Sequence, residues 1–107
     1  MSGGSDPLSG AVVRVERIPG VRLAPLGAIW AAFSPASGET ALLNDESAAI
    51  LEVLESGPMA APEVCRLIAQ DCGQAIDDVA GLIAACWPRL IEAGLVQAKY
   101  DRHGATP

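Results

Sequence analysis

Cations are scarce in this 107-residue chain: seven Lys and Arg stand against thirteen Asp and Glu, for a net charge of −6. Duplex nucleic acid and anionic membranes both draw affinity from Lys and Arg, so neither is a favoured partner. The deficit is concentrated in residues 39–92, where ten acids meet two bases, Arg66 and Arg89, for a net of −8. Histidine is scarcer still. The sole copy, His103, lies near the C-terminal end, which leaves the rest of the chain without the commonest acid–base and metal-binding side chain. Cys65, Cys72 and Cys86 form no CxxC pair, and no metal site or other cofactor site is expected. All three cysteines are expected as small, buried or half-buried residues of helices. The longest nearly apolar run, 23–33, is shorter than the roughly 20 residues a bilayer requires and contains Pro25 and Gly27. Residues 1–10 have no basic region followed by an apolar segment, so the expected compartment is the cytoplasm, with no membrane span.

What is present suits one small domain. Half the residues are apolar and four are aromatic, so a core would be built from Ala, Val, Ile and Leu. Residues 1–10 read as a disordered leader, 11–100 as the folded domain and 101–107 as a flexible tail. Alternation over 12–18, followed by Pro19-Gly20, fits a strand; residues 21–26 either extend or replace it. Two further strand-like runs, 28–33 and 39–43, flank Ser34-Pro35-Ala36-Ser37-Gly38, a set of turn formers, and so predict a hairpin. Asn44 is placed to cap a helix whose first turn carries Asp45 and Glu46 and which stops near Glu55. Pro62 opens a second helix that Gly73 closes. A third runs from Ala75 or Ile76 to Gly94, and Pro88 is expected to kink or split it. The fold class is α+β and winged helix-turn-helix-like, with two to three antiparallel strands followed by three helices.

Three functions compete for this plan. Catalysis has little to work with, because no phosphate loop or nucleophile setting is present, and the adjacent Asp77-Asp78 pair reads as first-turn helix charge. The chain is therefore not expected to be an enzyme. DNA binding fits the helix-turn-helix rhythm and is the alternative reading, but the helix that would enter the groove carries Asp77, Asp78, Arg89 and Glu92, a net of −2. Peptide capture needs a strand with an unpaired edge, which an extended peptide can join as a further strand. Residues 39–43 are the candidate edge, although periodicity alone leaves an idle edge equally open.

The stretch from Trp30 to Asn44, with its Ser34-Pro35-x-Ser37-Gly38-Glu39-Thr40 hairpin and Leu42-Leu43-Asn44 helix start, resembles the PqqD-like peptide chaperones, or RiPP recognition elements. It is most similar to the branch associated with HPr kinase-related proteins. Ala48-Ala49-Ile50-Leu51, Gly57, Glu63-Val64, Asp78-Val79 and Gly94-Leu95 follow in the family's order, so the resemblance spans about 20–97. It implies a three-stranded sheet on three helices, no catalysis, and a precursor (leader) peptide added to the last strand along the third helix. It also implies a separate modifying enzyme, a radical SAM protein in better-understood relatives, or an HPr kinase-related protein, as the partner that receives the peptide. The chain itself is expected as a monomer or a dimer. Pro88, and a third helix about one turn longer than is typical, depart from the family pattern.

On this reading the peptide-binding residues are Glu39, Thr40, Ala41, Leu42 and Leu43 of the strand, with Asp78, Leu82, Ala85, Cys86 and Arg89 of the third helix lining the cleft. Ala85 would allow close approach and Leu82 apolar contact, while Arg89 or Asp78 would set direction by charge. The acidic surface suggests a peptide with basic residues. The same side chains would also serve as ordinary surface or core.

Overall fold

The computed structural model describes residues 12–100; the expected leader 1–10 and tail 101–107 lie outside them. Four strands precede the helices: β1 (Val12–Arg17), β2 (Arg22–Leu26), β3 (Ile29–Ser34) and β4 (Glu39–Leu43). Helices α1 (Asp45–Val53), α2 (Ala61–Cys72) and α3 (Ile76–Glu92) follow, and β5 (Val96–Tyr100) ends the fold. The arrangement is α+β, with antiparallel strands followed by three helices.

The strands form two separate antiparallel sheets, β1-β5 and β2-β3-β4. Residues 12–17 and 22–26 are therefore both strands, and neither replaces the other. Pairing β1 with a strand about 80 residues away is a tertiary event that local alternation does not encode.

Local chemistry sets the helix boundaries. Asn44 Oδ1 accepts from the amide of Ser47 at 2.9 Å, closing the first turn of α1 beside Asp45 and Glu46. A 3₁₀ turn, Leu54–Ser56, then leads to Gly57. Pro62 sits in the first turn of α2, and Gly73 caps it at φ 70°, a left-handed conformation that glycine adopts without strain.

Pro88 does not split α3, which is one continuous helix. Pro88 and Ala84 are both exposed, so the carbonyl that loses its helical partner lies on the solvent side, where water can satisfy it.

The core joins the three helices to the inner faces of the strands. Val15, Ile50, Leu51, Val64, Leu90 and Leu95 are fully buried. Cys65 and Cys86 are core residues, whereas Cys72 is exposed. As the last residue of α2, Cys72 continues the apolar stripe past the part that other elements cover.

Candidate functional site

The site begins with the free edge of β4. Gly27, at φ 66°, with Ala28 makes a two-residue turn between β2 and β3, so Leu26 and Ile29 form a directly bonded pair. Bonded and unbonded pairs alternate along an antiparallel ladder. Following that alternation across β3, Ala32 bonds Ala41 and Trp30 bonds Leu43, while the main chains of Thr40 and Leu42 point away from the sheet. Each offers one N–H and one C=O at an edge that no other described strand covers.

The opposite edge is not equivalent. Pro25 stands opposite Trp30 at an unbonded pair, so its missing N–H falls on the free side of β2. A proline there blunts the edge as a strand acceptor. Strand β4 contains no proline.

Helix α3 supplies the second wall. Leu42, Leu43 and Arg89 line one cleft of about 220 Å³, together with Ile29, Asn44 and Ser47. Asp78, Leu82, Ala85 and Arg89 are all exposed and, at offsets of four, seven and eleven residues, fall in one stripe of α3. Leu82 is 52% exposed, unusual for a leucine on a packed helix.

Cys86 does not belong to this stripe. It is 6% exposed, and its thiol donates to the Leu82 carbonyl at 3.3 Å. Burial pushes the thiol above its ordinary pKa, a rise only partly opposed by a hydrogen bond with Ser47. One helical step of about 100° from Ala85 turns Cys86 toward Val79, Ile83 and Leu90 in the core. Glu39, Thr40 and Leu42 are exposed on β4, and Ala41 is half-buried.

The hairpin turn holds β4 beside α3. Ser34, buried, donates from Oγ to the Gly94 carbonyl at 2.7 Å, and Ser37 Oγ donates to the Ala93 carbonyl at 3.4 Å. Gly94 has φ 76°, and a Cβ there would lie 2.9 Å from Ser34 Oγ. The Ser34-Pro35-x-Ser37-Gly38 phrase thus clamps the hairpin to the end of α3. Sequence reasoning gave these serines only a turn-forming role, because their partners lie 56 and 60 residues away. Arg17 was also missed; it donates to the carbonyls of Leu51 (2.8 Å) and Val21 (3.0 Å), tying β1 to α1 and to the start of β2.

A larger cavity of about 660 Å³ lies between α2 and α3, lined in part by Ala80, Ala84 and Trp87. Its two charged residues, Glu63 and Arg66, pair with each other and leave no charge free for a ligand. Among the described residues no cluster suited to a metal ion is present, and no helix is long and apolar enough to cross a membrane.

In comparisons with known proteins, no family model, no curated protein and no solved structure matches the chain.

Proposed function

We propose that this chain is a PqqD-like peptide-capture protein that takes a precursor peptide as an added strand on β4 and presents it to a modifying enzyme. The reading rests chiefly on one observation: the unblocked edge of β4 and the exposed Arg89 of α3 border the same cleft. An extended segment seated there would pair with the outward groups of Thr40 and Leu42, gaining main-chain affinity, while its side chains meet Leu42, Leu82 and Ala85. The polar ends of the stripe, Asp78 and Arg89, would favour one direction of the peptide. DNA binding fits less well, because the exposed first turn of α3 presents Asp77 and Asp78 to any phosphate.

The test is an NMR titration of the ¹⁵N-labelled chain with synthetic peptides from short reading frames beside its gene. Thr40 and Leu42 amides should shift and gain exchange protection, together with residues 78–89. Thr40→Pro removes one outward N–H and leaves the ladder bonds to β3 in place, so it should weaken binding roughly tenfold with the fold intact. Peptide shifts that avoid both β4 and α3, or tight salt-sensitive retardation of duplex DNA, would count against peptide capture.

A further inference from the structure

The outer face of β2-β3-β4 adjoins the β4 edge along Thr40 and Leu42, and its composition runs against the rest of the molecule. Directly paired residues point to the same face, so the register aligns Leu26 with Ile29, Ala24 with Ala31 and Leu42, and Phe33 with Arg22 and Thr40. Leu26 and Leu42 are each 53% exposed, and Ile29 and Phe33 each 39%. Single exposed apolar residues are ordinary, but four on one continuous face mark a contact surface.

The face is also cationic at two diagonal corners. Arg22 stands beside Phe33 at one corner, and Arg89 borders Leu42 and Ile29 at the other. Neither arginine has an ion-pair partner among the described residues. No carboxylate is among the side chains that the three strands direct to this face. Two strand spacings and two pleat repeats separate the corners, a diagonal of roughly 17 Å, close to three turns of α-helix.

We propose that this face docks an amphipathic helix of a partner protein whose apolar stripe is flanked, about three turns apart, by carboxylates. A second copy of this chain would set arginine against arginine, and its net charge of −6 would repel. Anionic lipid would meet the same repulsion from the acidic remainder of the molecule. The proposal goes beyond peptide capture and does not depend on it. Where a captured strand extends β4, however, alternate side chains of that strand would lie in the same plane as this face, so one partner would touch both.

The probes are two synthetic helical peptides of about five turns with an identical leucine stripe, one carrying Glu three turns apart and the other Lys. Titrated into the ¹⁵N-labelled full chain, the Glu helix should shift the amides of Leu26, Ile29 and Phe33 and bind about tenfold tighter than the Lys helix. Arg22→Glu, at an exposed position, should narrow or invert that preference while the spectrum stays folded. Leu82→Ser, on α3 and outside this face, should weaken peptide capture and leave Glu-helix binding unchanged, so failure of the edge and failure of the face give different results. Equal binding of the two helices, shifts confined to other surfaces, or a preference that Arg22→Glu leaves intact overturns the proposal. So does sedimentation showing dimerisation that Phe33→Ser abolishes, or binding to phosphatidylserine vesicles without binding to the Glu helix.

Discussion

Strands β1 and β4 meet the rest of the chain in opposite ways. Strand β1 is held on both sides, by β5 along one edge and by Met59 along the other, where Val15 and Met59 exchange amide bonds of 2.8 and 3.0 Å. Its Val15 is fully buried, and Arg17 anchors it to α1. Strand β4 is held on one side, and it displays Thr40 and Leu42. Strand β1 is thus closed on both sides by its neighbours, while β4 keeps an open edge beside the cleft that Arg89 of α3 borders. Both sheets have the same backbone chemistry, so the difference lies in what surrounds them.

Substitutions that separate packing from display should divide along that line. The largest effect is expected in the core: Leu90→Ala removes a fully buried side chain and should cost about 3 kcal/mol in denaturant unfolding. Leu42→Ala, at a position 53% exposed, should cost less than about 0.5 kcal/mol. A comparable loss at Leu42 would mean that β4 is a packing strand after all. Next comes the clamp. Gly94→Ala forces a side chain into a left-handed conformation and against Ser34 Oγ, and should destabilise by roughly 1–3 kcal/mol. Ser34→Ala in the same background should recover part of that loss, because it removes the atom that the new Cβ meets.

The smallest effect is a pH dependence. Burial raises the pKa of both Cys65 and Cys86 above the ordinary thiol value of 9.0. The unfolded chain therefore loses these protons first as the solution becomes alkaline. The stability they contribute is complete below that value and is lost as pH rises through the folded-state pKa. Denaturant midpoints should fall on the alkaline side, and Cys86→Ala should flatten the slope. An unchanged slope in that variant would place the titration elsewhere.

Much of the fold is legible in local chemistry. Asn44, Pro62, Gly73 and Gly94 punctuate the helices because each acts on backbone within a few residues of itself. The hairpin is legible for the same reason, since Pro35 and Gly38 sit inside its turn. The division into two sheets is not, because β1 and β5 are brought together only by the helices between them. Nor is the clamp, since a serine in a turn looks the same whether or not a distant carbonyl awaits it. Spacing places Asp78, Leu82, Ala85 and Arg89 in one exposed stripe, whereas Cys86 lies a single helical step away and turns inward. The positions of Ile29, Asn44 and Ser47 around the cleft depend on the hairpin closing over α1, which no linear pattern specifies.

Pro25 has a further consequence for assembly. A protein with an open strand edge on one side and a compatible edge on the other can join copies head to tail without limit, since each addition exposes a fresh acceptor. Here the opposite edge lacks one of the donors that such a chain of copies would need. The β2 edge is thus a poor partner for the β4 edge of a second copy, which disfavours head-to-tail growth through this sheet.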